Sequence, residues 1–302
     1  MILSRRRFLT ISAAACMASN ANAAPVHRIS FQALGADCQI TLPGSSGAAH
    51  HAVGRIRTEI EAIEQAFSLY RKNSQLSRLN RDGFLSEPSQ TFLSGFQFAQ
   101  ALHAETGGAF DPTVQALWQA HATRTDPGPV GMSNLVHDKT GIRFTKPNMS
   151  ATFNGIAQGI ATDHAVAVLE SLGYRNVLAN LGEFRALGQN PNGNPWRIGV
   201  QNPASGTIAT ILSPTPTASA IATSEPRGTL IAGSPHAFDP FSRSGPRWAS
   251  VTIQANAAAL ADGLSTAIAA SPVAEAVTLL QNSIVTKAIL IDTKGNLTRW
   301  QA

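Results

Sequence analysis

The chain has 302 residues, enough to bury a full core as one large domain or two closely joined ones. Its apolar content of 43% and charged content of 14% exclude an intrinsically disordered chain. The formal net charge of +5 is a poor nucleic-acid signal. Arg5, Arg6 and Arg7 belong to a leader-like start, which leaves 20 Lys and Arg against 18 Asp and Glu, and no basic run with interleaved aromatics remains.

The amino terminus reads as an address. Ser4-Arg5-Arg6-Arg7-Phe8-Leu9 fits the twin-arginine pattern, a weakly apolar stretch runs from Thr10 to Ala18, and Ala21-Asn22-Ala23 offers a small-residue cleavage site. Residues 1–23 are expected to be an export signal and residues 24–302 a single periplasmic domain. The apolar stretch is too short to stay as a membrane span. Cys16 is the alternative, as a lipid-modified anchor, although Ala13-Ala14-Ala15 before it lacks the usual Leu. Cleavage near Ala23 leaves Cys38 by itself, so no intramolecular disulfide forms.

In chain order, Ile29 to Leu42 predicts a strand, a turn at Gly35 and a second strand, with Cys38 on its buried face. Val53, Ile56, Ile60, Ile63 and Phe67 recur at spacings of three and four and predict an amphipathic helix. Phe92 to Glu105 predicts another, ended by Gly107-Gly108, and the Pro- and Gly-rich stretch Ala122 to Ser133 a loop. Gly155 to Leu172 predicts a helix stopped by Gly173. Strands are expected at Val177 to Gly188, at Trp196 to Val200, in short pieces between Thr207 and Pro235, and at Arg247 to Ala255. Asn256 is the expected N-cap of a helix through Asp262 and Thr266, with Ser271-Pro272 capping the next. Ala288 to Trp300 predicts a closing hairpin turning at Lys294-Gly295-Asn296. Strands and helices intersperse without regular βα alternation, so the expected class is α+β.

Asp262 and Thr266 lie four apart, which puts a carboxylate and a hydroxyl on one helical face. Two hard oxygen ligands in that arrangement suit Mg²⁺. In Asn154-Gly155-Ile156-Ala157-Gln158-Gly159, two glycines at a helix mouth either open backbone groups to an anion and a metal or simply pack closely on a neighbouring element. Asp111 before Pro112 either caps a helix or serves a ligand. Tyr70, at a helix end before a polar run, either packs in the core or stacks on a planar ring. His236, followed by Asp239-Pro240, is a candidate base on an attacking hydroxyl. The other histidines lack ligand spacing, and no zinc cluster, Gly-x-Gly-x-x-Gly, P-loop or Gly-x-Ser-x-Gly elbow is present.

Taken in order, Ala33-Leu34-Gly35, Phe67-Ser68-Leu69-Tyr70, Ala109-Phe110-Asp111-Pro112-Thr113, Gly155-Ile156-Ala157, Asn180-Leu181-Gly182-Glu183, Ala222-Thr223-Ser224, His236-Ala237-Phe238-Asp239-Pro240 and Ala261-Asp262-Gly263-Leu264-Ser265-Thr266 resemble the ApbE family of Mg²⁺-dependent FAD:protein FMN transferases. The resemblance implies FAD as substrate, FMN transfer to a Ser or Thr hydroxyl of an acceptor flavoprotein, and release of AMP. By position it implies metal ligation by Asp262, Thr266 and the Gly155 carbonyl, and FAD contacts at Leu34, Tyr70, Ala109, Phe110, Asp111, Thr152 and Gln158. It also implies a role for His236 in the transfer step.

The chain departs from the family pattern in two charges: Thr152 stands where an acidic residue is usual, and Gln158 where a lysine is. The Asn154-to-Gly159 variant resembles a subgroup that includes the NosX proteins, which serve the membrane flavoprotein of nitrous oxide reduction. Two alternatives on the same site are a non-catalytic FAD-binding or delivery protein and a metal-dependent FAD pyrophosphatase. Membrane association is expected only through a lipid anchor at Cys16 or through the acceptor.

Overall fold

A computed structural model describes residues 25–228, 230–231, 234–235, 247–282 and 285–301. The expected leader and His236 lie outside the described residues. Strands β1 (Val26–Ala33) and β2 (Ala36–Pro43) form an antiparallel hairpin closed by Leu34 and Gly35. Both turn residues have positive φ, 52° and 71°, the backbone demanded by a two-residue turn of the primed type. Cys38 is buried in β2 as expected.

Helix α1 (Ser46–Phe67) starts earlier than Val53, because Ser45 caps it through Ala48 N and Ala49 and Ala52 continue the buried stripe. The polar run after Tyr70 is also helical. α2 (Gln75–Asp82) is capped by the Ser74 hydroxyl, ends on Gly83 at φ 73°, and buries only Leu76 and Leu79. Next come β3 (Phe84–Leu85) and α3 (Gln90–Glu105). A 3₁₀ turn at Pro112–Val114, with Asp111 as its N-cap, leads into α4 (Gln115–Thr123). The predicted loop thus begins after Thr123 and ends in a second 3₁₀ turn at Met132–Asn134, before β4 (Leu135–Asp138) and β5 (Gly141–Phe144).

The second half contains α5 (Ala157–Ser171), β6 (Val177–Asn180), β7 (Phe184–Leu187), β8 (Ile198–Gln201), β9 (Ile208–Leu212) and β10 (Ala220–Ser224). It continues through β11 (Leu230–Ile231), β12 (Ser234–Pro235), β13 (Trp248–Ala255), α6 (Ala258–Ala270) and α7 (Val273–Asn282). β14 (Lys287–Asp292) and β15 (Leu297–Gln301) close the chain as the expected hairpin, with Asp292 accepting from Lys294 N and Asn296 N in the turn. The fold is α+β.

Eight strands build the main sheet in the order β1-β2-β6-β7-β10-β13-β14-β15, each neighbour antiparallel. Alternate residues feed two cores, as the strand period requires. Val177, Ala179, Ala222, Val251, Ile253 and Leu290 face the larger core with the helices. Leu178, Phe184, Ile221, Ile289 and Ile291 face the β8–β9 ribbon on the opposite side.

Helices α5 and α6 pack against each other on the helical face. A Cβ at Gly159 would lie 2.5 Å from the Ala258 carbonyl oxygen and 2.6 Å from Ala259 Cα, so only glycine permits this approach. Gly263 of α6 likewise admits Leu102 of α3, whose Cδ2 would be 2.2 Å from an added Cβ. The start of α6 corrects one expectation. Its N-cap is Ala257, with no side-chain capping bond of its own, rather than Asn256. The cap comes from α5: the Asp163 carboxylate accepts from Ala258 N and from Ala259 N, both at 2.9 Å. A carboxylate on a helix N-terminus satisfies orphan N–H groups and complements the dipole. Ser271 differs as well, since its hydroxyl donates to Ala267 O of α6 rather than capping α7.

Candidate active site

A cavity of about 550 Å³ opens between α2, the turn before α4, the turn into α5, the end of β10 and the last turns of α6. That size lies within the range of small-molecule sites. Tyr70, Asn80 and Arg81 stand on one wall, Phe110, Asp111 and Trp118 on another, and Thr152, Gly155, Ser224, Glu225 and Thr266 complete the lining.

Tyr70 follows the end of α1, and its side chain is 74% exposed, which rules out core packing and leaves the ring free to cover a ligand. The turn it sits on is tied down locally, with Tyr70 N and Arg71 N both donating to Ser68 Oγ. Asn80 clamps α2 to the segment before α5 by a two-way pair with Ala151: Nδ2 donates to its carbonyl at 2.9 Å and Oδ1 accepts its N–H at 2.8 Å. Thr152 is then anchored by donating its N–H to Pro112 O at 2.8 Å, and its hydroxyl accepts from Asn154 N at 3.1 Å.

Asp111 lies at the wall, but its carboxylate is largely engaged by protein. Oδ1 accepts from Thr113 N at 2.8 Å and Thr113 Oγ1 at 2.6 Å, while Oδ2 accepts from Met132 N at 3.1 Å. The residue therefore pins the loop at 131–132 against the start of α4. His103 stands nearby, its Nδ1 2.8 Å from Phe110 O and 3.8 Å from Asp111 Oδ2. A carbonyl only accepts, so Nδ1 carries the proton.

Gly155 and Thr266 meet at the floor of the cavity. A Cβ at Gly155 would sit 3.0 Å from Thr266 Cγ2 and 3.1 Å from both Thr266 Oγ1 and Phe110 Cε2, so glycine keeps the backbone close to the hydroxyl. One turn along α6, Asp262 is buried and its Oδ2 accepts from Gly159 N at 3.1 Å. Thr266 Oγ1 lies 3.2 Å from Ser224 Oγ. Among the described residues, no three of His, Cys, Asp and Glu gather to hold a metal. The turn before α5 and the helix α6 instead offer a glycine backbone beside a hydroxyl, with a carboxylate one helical turn away, and oxygen donors of these kinds suit a hard cation such as Mg²⁺.

The structure thus gathers Tyr70, Ala109, Phe110, Asp111, Thr152, Gly155 and Thr266 around one cavity. Asp262 stands behind the floor rather than in the lining. Leu34 and Gln158 are not part of the lining either. Leu34 sits in the β1–β2 turn, donating its N–H to Glu64 Oε1 at 2.8 Å. Gln158 is buried against Gly182, where an added Cβ would come within 2.5 Å of its Cδ. The sequence did not single out Asn80, Arg81, Trp118, Ser224 or Glu225 as lining residues, although Asn80 ends the polar run after Tyr70 and Ser224 falls within Ala222-Thr223-Ser224.

Residues 34–290 match the ApbE family. The chain belongs to the ApbE family. Its relatives include proteins named FAD:protein FMN transferase. The one from Haemophilus influenzae is 30% identical over 172 residues, 48% of this chain and 50% of that protein. The one from Vibrio cholerae is 31% identical over 172 residues, 49% of this chain and 51% of that protein. The chain spans about half the length of the curated relatives it matches. The solved flavin transferase ApbE from Vibrio cholerae superposes with a TM-score of 0.78 at 24% identity, covering 92% of this chain and 98% of that one. The ApbE protein of Thermotoga maritima gives 0.79 at 24% identity, covering 91% and 97%. At these identities the superpositions establish a shared ApbE fold.

Proposed function

We propose that this ApbE-family protein transfers FMN from FAD to a Ser or Thr hydroxyl of an exported or membrane flavoprotein, with release of AMP and with Mg²⁺ as cofactor. The observation that carries this reading is the contact of Gly155 with Thr266 on the floor of a cavity of about 550 Å³, with the Asp262 carboxylate one helical turn away. The names of relatives matched over about half of their length support the substrate pair.

In this reaction the acceptor oxygen bonds to the FMN-side phosphorus, the bond from that phosphorus to the bridging oxygen breaks, and AMP leaves with the bridging oxygen. Mg²⁺, when bound, supplies charge neutralisation for the diphosphate. Asp262, Thr266 and the Gly155 carbonyl are the residues that would hold it. Tyr70 covers a planar ring at the mouth. The Asn80–Ala151 clamp and the Asp111 network keep the walls in place, so positioning is prepared before the ligand arrives. The hydroxyl proton of the acceptor passes to a base, for which His236 is the sequence's candidate.

The same reading places the protein in the periplasm after twin-arginine export through residues 1–23, and the Asn154-to-Gly159 variant supports a NosX-like acceptor in nitrous oxide reduction. Mixing the protein with FAD, Mg²⁺ and a candidate acceptor, then denaturing, should leave flavin fluorescence on the acceptor band. Fluorescence that washes away would overturn transfer. FMN and AMP appearing without any acceptor, at a rate rivalling transfer, would favour the pyrophosphatase.

A further inference from the structure

Three hydroxyls lie in a row that runs from the cavity lining, at Thr266 and Ser224, to Ser265 behind it. Ser265 Oγ is 2.9 Å from Asp262 O, Ser224 Oγ is 2.7 Å from Ser265 Oγ, and Thr266 Oγ1 is 3.2 Å from Ser224 Oγ. Each hydroxyl has one proton to give and lone pairs to receive. The end of the row fixes its sense. The Asp262 carbonyl has no proton, so Ser265 must donate to it. Ser265 Oγ then has only lone pairs for Ser224, and Ser224 must donate to Ser265. With its one proton committed, Ser224 accepts from Thr266.

We propose that Ser224 is a positioning residue that draws the Thr266 hydroxyl proton away from the cavity, so that the remaining lone pairs of Thr266 Oγ1 are available to a divalent cation. The inference rests on the metal reading of Thr266 given above, and it deepens that reading by assigning a polarity to the hydroxyl. A cation is repelled by a hydroxyl that turns its proton inward and attracted by one that turns its oxygen inward. Nothing about Thr266 itself decides between the two. The Asp262 carbonyl decides it, two hydroxyls upstream.

The row is held by its surroundings. Ser265 is wholly buried and Ser224 nearly so, leaving little room for water to replace either partner. Ser224 ends β10, and the residue before it is fixed from two sides: Thr223 N donates to Glu183 Oε2 at 3.0 Å, and Thr223 Oγ1 lies 2.9 Å from Thr252 Oγ1. Ser224 is therefore held against α6 by the sheet.

The test uses the full protein with Mn²⁺ as the probe, its free concentration read by electron paramagnetic resonance, with thermal unfolding measured in parallel. Ser224→Ala should weaken Mn²⁺ binding about 10- to 100-fold, the usual penalty for losing an outer hydrogen bond to a ligating residue. Ser265→Ala is the sharper variant. It frees the Ser224 proton to point at Thr266 and reverses the row, so binding should weaken although Ser265 itself never reaches the cavity. Ser224→Thr keeps the hydroxyl and should restore binding. Wild-type affinity in both alanine variants would overturn the proposal, as would weak binding in Ser224→Thr with an unchanged unfolding temperature. If wild-type protein binds no Mn²⁺ with or without FAD, the metal reading itself falls, which is a different outcome. If Ser224→Ala does not fold, Ser265→Ala alone decides: weakened binding supports the row and wild-type affinity overturns it.

Discussion

The backbone N–H of Gly159 meets Oδ2 of Asp262 at 3.1 Å, so the acidic residue of the candidate metal site is oriented by a neighbouring helix as well as by its own. The same glycine is where α5 comes up against the first turn of α6. In Gly159→Ala, a methyl 2.5 Å from the Ala258 carbonyl oxygen would push the helices apart. The expected cost is about 1–3 kcal/mol of stability, typical of overpacking, together with a looser Asp262. A urea titration gives the first quantity and Mn²⁺ affinity the second. An unchanged midpoint with unchanged affinity would show that the crossing tolerates the methyl.

Asp163 caps α6 and also receives Arg185 Nη1 at 2.6 Å. Asp163→Ala should lose about 0.5–2 kcal/mol for the cap, with a further loss because Arg185 is left partly buried without its anion. Asp163→Asn keeps an acceptor and should fall between alanine and wild type. Chemical denaturation of the three proteins ranks them.

Tyr70→Ala should leave stability within about 0.5 kcal/mol of wild type, because the side chain is 74% exposed. If the ring stacks on flavin, FAD affinity should drop about two- to tenfold, the equivalent of about 0.5–1.5 kcal/mol for an aromatic pair. Quenching of FAD fluorescence measures it, and Tyr70→Phe should bind nearly as well as wild type. Equal affinity in Tyr70→Ala would remove the ring from the binding site.

Burial pushes the Cys38 thiol from 9.0 up to about 12. The folded protein should therefore resist a thiol reagent at pH 8 and react fully once unfolded, since the thiolate is the nucleophile. The linkage has a definite sign. Between about pH 9 and 12 the unfolded chain holds fewer protons at this site than the folded one, so stability falls as pH rises through that window. Cys38→Ala should flatten that part of the profile in a pH series of thermal unfolding curves.

The long apolar stripe of α1, the hairpin at Leu34-Gly35 and the helix stop at Gly173 were legible because each signal is local. Helix α2 was not, since its eight residues are mostly polar and only Leu76 and Leu79 mark a buried side. Asp111 caps the turn before α4 and also stands in the cavity wall, and of the two glycines Gly159 packs closely on α6 while Gly155 faces the cavity, so the ordered motifs did lead to it. Thr152 and Gln158, paired in sequence as lost charges, part company in space: one lines the cavity and the other is buried against Gly182. The cap of α6 was out of reach of any local reading, because its carboxylate comes from 95 residues earlier.

That distance has a consequence for how the chain folds. A segment of residues 256–271 cut from the protein would lack the carboxylate that satisfies its first turn, and at this length it should be mostly unstructured in water. The hydroxyl and carboxylate it bears take up their spacing only after the earlier helix has docked. A nascent chain interrupted before residue 258 therefore carries Gly155 and Ser224 but lacks both Asp262 and Thr266, and cannot complete the cavity floor.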